Sequence, residues 1–233
     1  MVVQRMNSGK TYERKVQTPE EIDNLVGELH KRTGEKGFTR LFLDHEEEPN
    51  IVRGRNQQLV HEENENISEV RRRDGGKTWY HDDTKCFMLG IPDGSDKFRE
   101  VYMEQWGQLL INELEELGYD TFMADSDIYD SETGQQLVGM SGSSNDSTSV
   151  VRACWYEEEP EIDELLEADG ENPEEFSEKY RTVKGLYKRL TGQIKPETAE
   201  DDFISEKVLA EEQNYGGNGD NWIEGSCIEK YPV

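Results

Sequence analysis

An α+β fold, a mixed or antiparallel sheet flanked by helices, is predicted by three features of the amino-acid sequence. Short runs of strand character cluster between residues 39 and 156, helical periodicity lies before, within and after that cluster, and the two kinds do not alternate as regular βαβ units. Although only 33% of the 233 residues are hydrophobic, they fall into periodic segments with aromatics among them, as a folded chain requires.

The elements follow in order. Thr18-Pro19-Glu20-Glu21 supplies an N-cap, a proline at the first helical position and acids suited to the helix dipole, and Ile22, Leu25, Val26 and Leu29 follow at helical spacing. This helix is expected to end near Gly34. Thr39–Asp44 and Asn50–Arg53 read as strands, and Gly54-Arg55-Asn56-Gln57 as a loop into a polar helix near Gln58–Glu63. Ile67–Arg72 has strand character, Asp74-Gly75-Gly76 breaks it, and Lys85–Ile91 begins another strand. A long helix is predicted over 95–117, with Phe98, Val101, Tyr102, Gln105, Leu109, Ile111 and Leu114 mostly apolar at mixed three- and four-residue steps and Gly118 as its stop. Tyr119–Ala124, Asp127–Asp130, Gln135–Met140 and Thr148–Tyr156 are four further strands, with Glu132-Thr133-Gly134 a tight turn and Ser141–Ser149 a polar loop, mobile or ligand-closing. Beyond Pro160 the pattern turns helical and acidic, with helices expected at Glu161–Glu167, Pro173–Lys179, Val183–Leu190 and Pro196–Tyr215.

No internal repeat or linker interrupts this order, so residues 1–217 are expected to form one domain, with 1–17 loosely held and 218–233 a tail. The balance of 26 Lys+Arg against 52 Asp+Glu gives a formal charge of −26, which repels nucleic acid and anionic membrane surfaces. Such self-repulsion fades at molar salt, where the Debye length is about 3 Å, and the composition points to a halophilic, acidic protein of a high-salt cytoplasm. No signal peptide or membrane-spanning run is evident, so a soluble cytoplasmic location is expected. Cys86, Cys154 and Cys227 are odd in number and share no Cys-x-x-Cys spacing, which argues against a disulfide framework or a structural zinc site.

The stretch Arg71-Arg72-Arg73-Asp74-Gly75-Gly76-Lys77-Thr78-Trp79-Tyr80-His81-Asp82 inverts the local field of an acidic chain. Three arginines beside paired glycines point to an anionic ligand, because bare backbone can approach it closely and present N–H groups. Lys77 adds a point charge, and an arginine can bind carboxylate or phosphate through two parallel hydrogen bonds. Surface salt bridging and a structural histidine are the plainer readings of the same residues.

This stretch resembles the glycine loop of the lipoate-protein ligase family, approximately Arg-Arg-x-Ser-Gly-Gly-Gly-Ala-Val-Tyr-His-Asp, through Arg71, Arg72, Gly75, Gly76, Tyr80, His81 and Asp82. Asn24-Leu25-Val26-Gly27-Glu28 is similar to the family's Asn-Leu-Ala-x-Glu helix, and Val52-Arg53-Gly54-Arg55-Asn56-Gln57 to its Val-x-Gly-Arg-x-Gln turn. Ser126-Asp127-Ile128 resembles its Asn-Asp-Leu strand, and Thr182-Val183-Lys184 with Leu190-Thr191 the region that closes its catalytic domain.

The resemblance implies the catalytic-domain fold shared with biotin-protein ligases and octanoyltransferases. It also implies ATP and Mg²⁺ as requirements, lipoate or octanoate as the acid activated to acyl-AMP, and a lipoyl-domain lysine as acceptor. Arg72, Gly75, Gly76, Tyr80, His81, Asp127 and Gly139 are the implied substrate- and nucleotide-binding residues, while Trp79, Phe87 and Leu89 would suit an octanoyl-length chain. The family's accessory C-terminal domain is not evident after Gly217, and a partner subunit is one way to supply it.

The departures bear on catalysis. The loop serine is Asp74, the third glycine is Lys77, and Asp83-Thr84-Lys85 is one residue short of the expected Gly-Asn pair. The lysine segment Lys-Val-x-Gly-Ser-Ala is here Gln136-Leu137-Val138-Gly139-Met140-Ser141. Gln136 can donate a hydrogen bond but carries no charge, and losing such an electrostatic contact costs about 3 kcal/mol, or roughly 10²–10³ in rate. Lys77 or Arg152 is the candidate replacement cation. A catalytically silent acyl- or nucleotide-binding paralogue and an ATP-independent octanoyltransferase remain the alternatives. Cys154 beside Arg152 is the best-placed thiol for the latter, although strand alternation reads it as core packing.

Overall fold

In the computed structural model, residues 10–18, 21–61, 67–72, 74–94 and 103–194 are described. Among these described residues, ten strands and five helices follow one another as β1 (Lys10–Val16), α1 (Glu21–Lys36), β2 (Thr39–His45), β3 (Asn50–Arg53), β4 (Glu69–Arg71), β5 (Trp79–His81), β6 (Thr84–Ile91), α2 (Glu104–Glu116), β7 (Thr121–Ala124), β8 (Asp127–Asp130), β9 (Gln136–Ser144), β10 (Ser149–Tyr156), α3 (Asp163–Ala168), α4 (Pro173–Lys179) and α5 (Leu186–Ile194). A seven-stranded sheet runs β1-β2-β6-β10-β9-β8-β7, and a three-stranded sheet β4-β3-β5. In the large sheet only β1 and β2 are parallel. The small sheet pairs β3 parallel to β4 and antiparallel to β5. The expected mixed α+β architecture is the observed one.

Alternation divides the large sheet's side chains between two faces. Phe42, Phe87, Val151, Ala153 and Trp155 enter the main core with Trp106, Leu110 and Leu114 of α2 and Leu186 and Leu190 of α5. The opposite face meets α1, where Leu29 and Thr33 crowd Gly90 so closely that a Cβ there would lie 1.9 Å from the threonine hydroxyl. A second core, built on Ile51, Tyr80, Tyr156, Leu165, Leu166 and Phe176, joins the small sheet to α3 and α4.

Several expectations need correction. Residues 10–16 are not loosely held: Tyr12 and Val16 are buried, and the whole of β1 pairs in register with β2. Helix α1 runs past Gly34 to Lys36, and Gly37 at φ +83° ends it. Residues 58–61 are not helical, because the Val60 and His61 amides donate instead to Glu69 Oε2 at 2.7 and 2.8 Å. Helix α2 presents Trp106, Leu110 and Leu114 rather than Gln105, which is exposed. The predicted helical residues 95–102, the helix at 196–215 and the tail at 218–233 lie outside the described residues.

The polar stretch 141–149 is mostly sheet, since β9 extends to Ser144 and Ser149 opens β10. Its polarity serves α1: His30 shares hydrogen bonds with Ser143 Oγ at 2.8 Å and Thr148 Oγ1 at 2.7 Å. The connecting turn is held by Asn145 Oδ1, which accepts from the Ser147 and Thr148 amides, both at 2.9 Å. Helix α5 begins at Leu186 rather than Val183, whose amide is committed to the Tyr156 carbonyl at 2.7 Å.

The cysteine expectation is also overturned. Cys86 and Cys154 form a disulfide between directly opposed residues of β6 and β10, with Cα atoms 4.2 Å apart. Sequence spacing could not reveal it, because the pairing is created by the register of strands 68 residues apart. Among the described residues, no helix is long and apolar enough to cross a membrane.

Candidate functional site

The glycine loop folds over the face of β9 and β10 opposite the main core, and a cavity of about 340 Å³ lies between them. Cross-strand register explains its floor. Ser141 opposes Arg152 and Gly139 opposes Cys154, so these four share one face of the sheet and all reach the cavity.

Gln136 joins that face only because the strand is irregular. Ile128 pairs with Val138 and Tyr129 with Gln136, leaving Leu137 as an extra residue in β9. This bulge reverses the alternation, turning Leu137 into the main core and Gln136 to the cavity with Gly139. A regular strand would have buried Gln136 and opened Leu137.

The loop is shaped by Arg72 and by the turn at 54–57. Buried Arg72 donates Nη1 to the Val52 carbonyl at 3.1 Å, and Nη2 to the carbonyls of Gly75 at 2.9 Å and Lys77 at 2.7 Å. Gly54 packs against the Gly76 carbonyl, which a Cβ would approach to 2.1 Å. Thr78 Oγ1 accepts from Arg53 Nη1 at 3.0 Å and from Gln57 Nε2 at 2.9 Å. The residues at 52–57 thus act as a buttress that holds the loop's curvature.

Asp74 lies beneath the loop, fully buried. Its Oδ2 receives the Ser141 hydroxyl and stands 3.3 Å from Arg72 Nε and 3.2 Å from Arg152 Nη2. One carboxylate is therefore shared by two buried guanidinium groups. Burial and the neighbouring Arg152 push the Arg72 pKa down to about 10, against the opposing pull of Asp74. Nε and Nη1 of Arg152 have no hydrogen-bond partner among the described residues, and the side chain lines the cavity.

Of the anticipated binding residues, Arg72, Gly76, Lys77, Asp127, Gln136 and Gly139 come together around the cavity. Gly75 lies beside it, its amide donating to the Gly142 carbonyl at 3.1 Å rather than being presented to a ligand. Asp127 Oδ1 accepts the Met140 amide at 2.7 Å, and burial raises its carboxyl pKa against the pull of that hydrogen bond and of Lys77. Tyr80 and His81 do not line the cavity. Tyr80 Oη donates to Asp169 at 2.6 Å in the second core, and His81 is buried against His45. Phe87 and Leu89 also stand elsewhere, in the main core, because alternation along β6 sends them to the sheet's other face.

Trp79 does form a wall. Its ring stacks on Tyr156 at 5.0 Å and meets Tyr180 edge-on at 5.9 Å. The indole fits because position 139 has no side chain: a Cβ on Gly139 would lie 2.4 Å from the ring. Gly139→Ala is therefore expected to displace the indole and destabilise the fold by about 1–3 kcal/mol, checked by denaturant unfolding and tryptophan fluorescence. Sequence reading missed Tyr180 and Asp125 on the cavity wall, since both sit in connections with no periodic signal.

Beside the site, Asp169 gathers Arg53, Tyr80 and His61. Burial alone would raise its carboxyl, but hydrogen bonds from Arg53 and Tyr80 outweigh this and hold it below the usual range. A depressed folded-state pKa contributes stability above the unfolded value, and that contribution disappears as pH falls through the folded value. Asp169→Asn is expected to cost about 1.5–3 kcal/mol near neutrality and to weaken the acid-side loss of stability, measured by unfolding at a series of pH values.

No family model matches the chain, and no curated protein matches it in sequence. Solved structures do. A lipoate-protein ligase A bound with ATP shares 15% identity over 88% of this chain and 93% of its own, with a TM-score of 0.65. The bipartite lipoate protein ligase of Thermoplasma acidophilum, studied with its E2 lipoyl domain, shares 16% identity over 88% of this chain and 91% of its own, with a TM-score of 0.60. LipL1 of P. falciparum in complex with lipoate shares 14% identity over 94% of this chain and 64% of its own, with a TM-score of 0.58. At such identities the likeness is one of fold: this chain has the catalytic-domain fold of the lipoate-protein ligases, in a divergent sequence.

Proposed function

We propose that the protein is an ATP-dependent lipoate- or octanoate-protein ligase in which other cations do the work of the family lysine. The observation that carries this reading is the cavity itself, where Lys77, Arg152, Gln136 and Asp127 surround one space and the aromatic rings of Trp79 and Tyr180 border it. A carboxylic acid with an apolar tail needs both kinds of wall. The solved neighbours with bound ATP and with bound lipoate support the same ligand pair.

In this reading a carboxylate oxygen of the acid bonds to the α-phosphorus of ATP, and pyrophosphate leaves. The neutral ε-amine of a lipoyl-domain lysine then bonds to the acyl carbon, the acyl–phosphate oxygen bond breaks to release AMP, and the amine's proton passes to solvent. Lys77 and Arg152 oppose negative charge on the phosphoryl oxygens, while Gln136 Nε2 offers a neutral hydrogen bond near the acyl carbonyl. The Arg72 clamp keeps the loop in place without contacting the reacting atoms. Asp125 and Asp127 offer the oxygen donors that Mg²⁺ takes alongside water, and the ion would add charge neutralisation at the phosphates. The bipartite Thermoplasma ligase supports a partner subunit as well as a lipoyl-domain acceptor.

Lipoate-dependent ATP–pyrophosphate exchange, measured at low and multimolar KCl with and without a candidate accessory subunit, tests the proposal. Exchange that requires lipoate is the expected result. Tight binding of lipoate and ATP with no exchange under any condition would overturn it in favour of a silent binding paralogue, the reading that Gln136 favours. An ATP-independent octanoyltransferase is less supported, because the candidate thiol of Cys154 is joined to Cys86.

A further inference from the structure

We propose that His45, Glu47 and His81 form a binding site for a divalent transition-metal ion of the zinc class, beneath the small sheet and apart from the cavity. His45 ends β2, Glu47 lies in the connection that follows, and His81 ends β5, directly opposite Asn50 of β3. One donor atom from each of the three lies within 4.8 Å of the others. The imidazole centroids are 4.4 Å apart, and Glu47 Oε1 is 2.8 Å from His45 Nδ1 and 3.8 Å from His81 Nδ1.

The burial of this group is the decisive feature. His45, Asn50 and His81 are 0% exposed and Glu47 6%. Yet His45 Nε2, Glu47 Oε2, Asn50 Oδ1 and both ring nitrogens of His81 have no hydrogen-bond partner among the described residues. Each unsatisfied buried polar group costs about 1–3 kcal/mol, so apolar residues would be cheaper if packing were the only role. A cation that accepts lone pairs would satisfy several of these atoms together.

The donor set selects the kind of ion. Two imidazoles and a carboxylate suit zinc and its neighbours in the first transition row, whereas Mg²⁺ and Ca²⁺ prefer all-oxygen shells. Zinc bonds of about 2.0–2.1 Å place donors roughly 3.4 Å apart, so the close His45 Nδ1–Glu47 Oε1 pair would open and the wider His81 Nδ1–Glu47 Oε1 pair would close, each by roughly half an ångström. Arg72 and Arg152 exert positive potential on His81 and oppose a cation, while Glu47 places a carboxylate within the donor set itself. Asn50 Nδ2 donates to Glu47 Oε1 at 3.4 Å and to the Glu48 carbonyl at 3.0 Å, which orients the carboxylate. A bound ion would tie β5, and through it the end of the glycine loop, to the end of β2 in the large sheet.

The test uses the full chain after chelation and needs no ligase assay. Titration with Zn²⁺ or Co²⁺ is expected to show one ion bound per chain, a rise in thermal stability and the visible ligand-field bands of low-coordinate Co²⁺. X-ray absorption of the zinc-loaded protein should show imidazole nitrogen and carboxylate oxygen without sulfur. Glu47→Gln and His45→Gln should weaken binding at least about 100-fold while retaining the circular dichroism of the parent. No stoichiometric binding, a sulfur ligand such as Cys227, or undiminished affinity in a folded His45→Gln variant would overturn the proposal. Because X-ray absorption reads the unaltered chain, failure of a variant to fold leaves the question decided.

Discussion

Lys77→Met is expected to reduce lipoate-dependent pyrophosphate exchange by about 10²–10³-fold, with little change in the KM for lipoate. Lys77, Arg72 and Arg152 are the cations that line the cavity among the described residues, and their commitments differ. Arg72 is spent on loop carbonyls, and Arg152 shares Asp74 with it. Lys77 projects from the loop where the family glycine would have no side chain, and its charge acts on Asp127 across the cavity. Charge developing on the phosphoryl group should therefore meet Lys77 more strongly in the transition state than in the bound acid, which separates kcat from KM. Gln136→Lys is the reciprocal test. It returns a positive charge to the bulge position and should raise exchange in the parent and restore part of it in Lys77→Met. Unchanged exchange in Lys77→Met would remove Lys77 from the mechanism and leave Arg152 as the remaining cation.

Asp74→Asn is expected to destabilise the fold by about 3–5 kcal/mol, the largest loss foreseen for a single substitution. The carboxylate is fully buried between Arg72 and Arg152, themselves 4% and 2% exposed, and its removal leaves two guanidinium groups facing each other without a counter-charge. Urea unfolding at constant KCl measures the effect. High salt should not rescue the variant, because mobile ions screen buried charges poorly. The double variant Asp74→Ser with Arg152→Met removes one cation along with the anion and should recover much of the lost stability. A cost below about 1 kcal/mol for Asp74→Asn would show that the triad is more hydrated than its burial implies.

The glycine loop stood out in the sequence because three arginines and two glycines are conspicuous in so acidic a chain. The use of those residues was less legible. Arg72 turns inward to loop carbonyls, and Gly76 leaves room for its guanidinium, since a Cβ there would lie 2.7 Å from Nη2. The bulge at Leu137 leaves no mark in composition, yet it decides that Gln136 rather than its neighbour faces the cavity. β1 was missed because Lys10–Val16 is dominated by charged side chains whose pairing with β2 is a long-range event.

The sequence by itself determined the α+β class, most strand positions and the place of the glycine loop, because hydrophobic period and turn chemistry act over a few residues. Tertiary structure alone decided the Cys86–Cys154 bond, the sharing of Asp74 by two arginines, the meeting of His45 with His81 and the exclusion of Tyr80 from the cavity. Each of these depends on strand register between distant segments, and register emerges only when whole faces are packed against one another.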